Sequence, residues 1–186
     1  MIFVMHWEHT LDVAWLRSVG YVYLKEVAAF WSCYLVKDAN GVYLDLNDCC
    51  YEVCSANNYP VEVQKMTNPN NPANTIGMLH RLFATMTIVS AELGVDSDLR
   101  AGWQDIKANL APLPTATVQL ANTTTTILAD WDNAGPPPKN DRQMLSALQP
   151  IYPAGQFFRS MPNQSAFQVA VDTMTYLDYL AWTRIP

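Results

Sequence analysis

Apolar residues at Leu16, Val19, Tyr23, Val27, Phe30 and Tyr34 recur at steps of three and four, the spacing of one helical face. Leu24, Ala28, Trp31 and Leu35 form a second apolar face on the same stretch. The pattern predicts a helix over 12–36 that is sandwiched between neighbours, because a helix at a surface carries a single apolar stripe. Asn40-Gly41 is a turn signal. The alternation that follows predicts a short strand or extended loop near 42–54. From Ser55 to Ala73 the chain is rich in asparagine and proline and has no period. A loop of that length inside a compact domain usually has a task.

Helical spacing returns with Ile76, Leu79, Phe83, Met86, Val89 and Leu93, predicting a helix over 74–93 that Gly94 ends. Asp96 and Ser97 are placed to cap a helix over 97–110, whose apolar positions are Leu99, Trp103, Ile106 and Leu110. Two helices joined so closely form an antiparallel αα-hairpin. Pro112 and Pro114 end it, and the threonine-rich stretch 115–129 reads as strand or extended connection. Asp130-Trp-Asp-Asn-Ala-Gly-Pro-Pro-Pro138 reads as a stiff loop, then a short helix near Arg142 to Gln149. Phe167, Ala170, Met174, Leu177 and Ala181 share one face of a last helix over 164–182. The fold class is mainly α, built of antiparallel αα-hairpins with short β excursions.

Composition narrows the function. Of 186 residues, 50% are hydrophobic and 15% charged, against about 25% charged in ordinary soluble domains. That apolar load excludes a disordered chain. A formal net charge of −6 without a basic run excludes a nucleic-acid partner. No apolar stretch reaches the ~20 residues that span a bilayer, so no membrane partner is expected. Met1-Ile-Phe-Val-Met5 meets His6 and Glu8 too early for a signal peptide, and the compartment stays open. Cys49, Cys50 and Cys54 lack a second C-x-x-C and a nearby histidine, so buried free thiols fit them, and Cys33, better than zinc. A cysteine-based metal or redox module is the outlying alternative. His6 and His9 do not make the H-E-x-x-H zincin pattern, and phosphate-cradling glycine loops are missing.

Chemistry is carried by acidic residues in loops: Asp45, Asp48, Glu52, Glu62, Asp130, Asp132 and Asp141. Glu52 lies among Cys49, Cys50, Tyr51, Val53 and Cys54, an apolar setting that raises a carboxyl pKa and suits a general acid. Asp132 and Asp141 flank the proline-stiffened loop beside Trp131, whose ring could stack on a sugar. Asn140, next to Asp141, joins Trp131 as a substrate-binding candidate. The plainer reading makes Glu52 a strand-surface residue and the aspartates turn formers.

Several stretches resemble the catalytic domain of six-hairpin, (α/α)6-barrel glycosidases of the α-L-fucosidase-like group, glycoside hydrolase family 95. Tyr23-Leu-Lys-Glu-Val-Ala-Ala-Phe-Trp31 with Tyr34-Leu35 is similar to one barrel helix of that family. Glu92-Leu-Gly-Val-Asp-Ser-Asp-Leu-Arg100, followed by Trp103 and Leu110-Ala-Pro112, resembles the next hairpin. Ser146-Ala-Leu-Gln-Pro-Ile-Tyr-Pro153 with Gln156 falls where the family has a serine–leucine–tyrosine-proline stretch.

The resemblance implies an inverting, cofactor-free glycosidase acting on terminal sugars of glycans or polysaccharides. One carboxylic acid protonates the leaving oxygen and a second carboxylate activates water on the opposite ring face. It implies Glu52 as the acid and Asp132 or Asp141 as the base, with no metal. Where the family has a histidine–arginine–histidine run this chain reads Arg142-Gln-Met144, and the family's water-positioning asparagines lie upstream. A six-hairpin toroid needs about a dozen helices, so residues 1–186 are expected to form about half of the barrel. Its partners are then a carbohydrate substrate, the remainder of the barrel and an N-terminal β-sandwich. Family relatives are often secreted or periplasmic. The alternative is a non-catalytic or degenerate αα-hairpin module that binds sugar or serves structure. A partial toroid also predicts exposed apolar surface along 12–36.

Overall fold

In the computed structural model, residues 1–48, 69–139 and 146–178 are described. The chain divides into two compact units, Met1–Leu44 with Met78–Ala111, and Asp45–Gly77 with Pro112–Pro186.

The first unit is helical. It opens with α1 (Ile2–Thr10), which the sequence pattern did not announce. Asp12 caps the next segment by accepting from the Trp15 backbone N–H at 2.9 Å. The helix expected over 12–36 is α2 (Val13–Trp15), a π turn (Leu16–Gly20) and α3 (Tyr21–Tyr34) in unbroken succession. Leu24, Ala28 and Leu35 of its second apolar face are buried. On the first face Val19, Tyr23, Phe30 and Tyr34 are exposed at 41–57%. The sandwiched helix thus has one covered side, and the exposed apolar flank expected of it is present. Tyr23 still stacks on Phe3 of α1, ring centroids 4.2 Å apart. Cys33, expected as a buried thiol, is exposed.

Most of α4 (Ala73–Leu93) lies in this unit, with Leu79, Leu82, Phe83, Met86 and Val89 buried at helical spacing. Gly94 ends the helix at φ 68 as expected. Asp96 does not cap α5 (Arg100–Asn109), which starts at Arg100 rather than 97 and has no side-chain cap. The Asp96 carboxylate instead accepts from the Tyr21 hydroxyl at 2.6 Å and pairs with Lys25 at 2.8 Å. Arg100 serves the other end of the connection, donating to the carbonyls of Ser90 in the last turn of α4 and of Val95 just beyond it at 3.0 and 3.1 Å. Of the strand expected near 42–54, the described residues form a two-residue ladder of β1 (Val36–Lys37) and β2 (Tyr43–Leu44). Residues 49–54 lie outside the described part.

The second unit carries the first turn of α4 and a hairpin of β3 (Thr115–Leu120) and β4 (Thr123–Leu128) in the threonine-rich stretch. Its two-residue turn, Ala121-Asn122, has φ of 48° and 67°. That is the type I′ geometry whose backbone twist matches the strands. Alanine is strained there, so Ala121→Asn is expected to stabilise by roughly 0.5–1 kcal/mol. A higher urea midpoint at unchanged slope is the check. The last helix, α6 (Gln164–Tyr176), packs on β4, where the Thr173 hydroxyl accepts from the Leu128 N–H at 2.8 Å. Ile127, Leu128, Ala129, Trp131, Ala170 and Leu177 are buried. Of the short helix expected near 142–149, the described residues carry a 3-10 turn over Ser146–Leu148. Residues 140–145 and 179–186 are outside the described part; the last helix ends at Tyr176 with Leu177 as its C-cap, short of the expected 182. Among the described residues no helix is long and apolar enough to cross a membrane.

Candidate active site

Four segments of the second unit meet at the start of α4. They are Asp45–Asp48, the Pro69–Pro72 approach to the helix, Asp130–Ala134 after β4, and the 3-10 turn with Pro150. The close approach needs Gly77: a Cβ there would stand 2.9 Å from the Pro150 Cα. Main-chain bonds lock the crossing. The Ala73 N–H donates to the Asp130 carbonyl at 2.8 Å and the Asp132 N–H to the Asn70 carbonyl at 3.0 Å.

Asn71 sits at the centre, buried and in the left-handed region at φ 50. Its N–H donates to the Asp45 carbonyl at 2.7 Å, and its Oδ1 accepts from the Asp45 N–H at 2.8 Å. A backbone N–H can only donate, so the orientation of the amide is fixed and Nδ2 must point the other way. It donates to Asp132 Oδ2 at 2.6 Å. Nearby, Asp48 Oδ2 accepts from the Thr75 hydroxyl at 2.7 Å in the first turn of α4, where a negative charge suits the helix dipole.

Asp45 is buried with no exposed surface. Among the described residues neither of its carboxylate oxygens meets a donor. Burial raises its pKa to about 8, and the charge of Asp48 adds in the same direction. Burial beside a second acidic group favours the protonated form of the Asp45 carboxyl. Zero exposure puts that proton out of a substrate's reach.

The model of the glycosyl hydrolase family 95 catalytic domain matches residues 2–177. The chain belongs to glycosyl hydrolase family 95. Its domain is that of a glycoside hydrolase, with carbohydrate as the substrate class. Comparison with curated proteins gives no match.

Within this family 95 domain the expected site residues fall into three groups. Asp132 is half-buried and joined through Asn71 to the Asp45 segment. Asp130 is structural: it is 4% exposed and its Oδ1 accepts from the Ala147 N–H at 2.8 Å, which anchors the 3-10 turn. Trp131 corrects an expectation. At 4% exposure its ring is packed as core and offers no face for a sugar to stack on. Glu52, Glu62, Asn140, Asp141 and the cysteines at 49, 50 and 54 lie outside the described residues. Away from the site, His6 lies against Trp15 with ring centroids 4.1 Å apart, and His80 is half-buried with its pKa lowered chiefly by desolvation. Sequence reasoning passed over Asn71. The available signal was Asn70-Asn71-Pro72, where asparagine tolerates the left-handed backbone directly before a proline that starts a helix.

Proposed function

We propose that this family 95 domain is an inverting, α-L-fucosidase-like hydrolase of terminal sugars, with Glu52 as general acid and Asp132 as general base. Asp141 is the reserve for the base, and Asn140 a substrate contact. In the proposed step Asp132 takes a proton from water as its oxygen attacks the anomeric carbon. The bond from that carbon to the leaving oxygen breaks, and Glu52 gives the leaving oxygen its proton. Neither cofactor nor metal takes part. Roughly 6.5–9.5 Å between the two carboxyl groups leaves room for the water.

The observation that carries the reading is the linkage of Asp132 through one buried amide to the Asp45–Asp48 segment, within a chain of a glycosidase family. Glu52 follows Asp48 by four residues in sequence. Helices of this kind are proposed to form about half of an (α/α)6 toroid, with the exposed flank of α2 and α3 facing further barrel helices.

Hydrolysis of an aryl α-L-fucoside, against a panel of other aryl glycosides, is the test. Glu52→Gln is expected to lower turnover by about 10²–10⁴ with little change in substrate affinity. Wild-type turnover in that variant would remove Glu52 from its role. A wild-type chain that binds the sugar but hydrolyses none of the panel would favour the non-catalytic module.

A further inference from the structure

We infer that Asn71 is the positioning residue for the Asp132 carboxylate, fixing its direction. The inference rests on the reading of Asp132 as the general base. Three features of the geometry carry it. Asn71 is buried, so its amide is not exchanging partners with solvent. Both polar atoms of that amide are committed: Oδ1 to the Asp45 N–H at 2.8 Å, Nδ2 to Asp132 Oδ2 at 2.6 Å. The Asp45 N–H determines which end is which, so only a donor faces the carboxylate.

The Asp132 backbone is tied separately, through its N–H to the Asn70 carbonyl at 3.0 Å. Neighbouring residues of one turn therefore hold the main chain and the side chain of the same aspartate. A base that must meet a water at one angle gains from a carboxylate with one oxygen fixed.

Two substitutions separate this role from a packing role. Asn71→Gly keeps the left-handed backbone without strain and removes both side-chain bonds. Asn71→Asp keeps the shape and the acceptor for Asp45, and sets a carboxylate oxygen where the donor stood. For Asn71→Gly, kcat is expected to fall about tenfold or more at nearly unchanged KM. For Asn71→Asp, the acidic limb of the kcat/KM profile is expected to move up by on the order of one pH unit, because two carboxylates resist ionising together. A loss that is uniform across pH in Asn71→Asp, or wild-type profiles in both variants, would overturn the inference. Asp132→Asn measured alongside separates the two claims. If it turns over at the wild-type rate, the base assignment itself fails; if it is inactive while both Asn71 variants keep the wild-type profile, only the positioning role fails.

Discussion

Asp132→Asn is expected to lower kcat by about 10²–10⁴ while leaving the fold intact, since positioned proton transfer is worth about that factor. The substitution suits the question because of what surrounds the side chain. Asn71 Nδ2 donates to Asp132 Oδ2 at 2.6 Å, and an asparagine oxygen at the same place accepts that bond equally. The Asp132 N–H keeps its bond to the Asn70 carbonyl at 3.0 Å. Shape and local hydrogen bonding are thus retained, and the ability to take a proton is lost. KM should change little, because the missing interaction belongs to the transition state. A thermal melt within a few degrees of wild type, beside the lost turnover, assigns the effect to chemistry. A variant with wild-type kcat would move the base to Asp141 or end the inverting mechanism.

The second large effect is on stability and depends on pH. The Asp45 carboxyl has its pKa raised from 3.8 to about 8 by burial first and by Asp48 second. Below the lower value both folded and unfolded chains carry the proton, and the group costs nothing. Between pH 4 and 8 the unfolded chain releases it and the folded chain does not, so the unfolded state gains and stability falls as pH rises. Above the folded value the loss levels off. Asp45→Asn removes the titration and the buried charge it can carry. It should therefore raise the melting temperature at pH 8 and change it little at pH 4. A gain of even 1 kcal/mol corresponds to roughly 2–4 °C in a chain of this size. Melting curves of both proteins across that range check it. Parallel curves would mean that Asp45 is ionised in the folded chain.

Helices were the legible part of the sequence. Leu79, Phe83, Met86 and Val89 are buried at the spacing that predicted them, because a local period and a buried stripe are the same fact seen twice. The features that escaped depend on partners distant in sequence. Asp96 reads as a cap locally, yet Lys25 and Tyr21, more than seventy residues away, offer its carboxylate a charged and a hydroxyl donor. Those bonds outweigh one backbone N–H. Cys33 carried the general preference of cysteine for the interior, but its position on α3 faces outward.

The site was half legible. Acidic residues in loops drew attention to Asp45, Asp48 and Asp132, and the structure links the first and last of these through Asn71. Nothing in the local sequence separates Asp130, which anchors a turn, from Asp132 two residues on. What distinguishes them is the Ala147 N–H, 17 residues downstream. Trp131 had the composition of a sugar platform and the burial of a core residue, and alternation along a loop does not tell which side faces in. Asn71 is the clearest case. Its turn-forming role could be read from Asn-Asn-Pro, whereas its partner lies 61 residues away.

The most direct test of a family 95 domain acting by inversion is the anomeric form of the first sugar released. Proton NMR of α-L-fucoside hydrolysis, followed before mutarotation, reads it. Single displacement by a water that Asp132 activates gives β-L-fucose first, with the α form growing only later at the mutarotation rate. First release of α-L-fucose would mean a double displacement and contradict the assignment of Asp132 as base, and no release at all would contradict the enzyme.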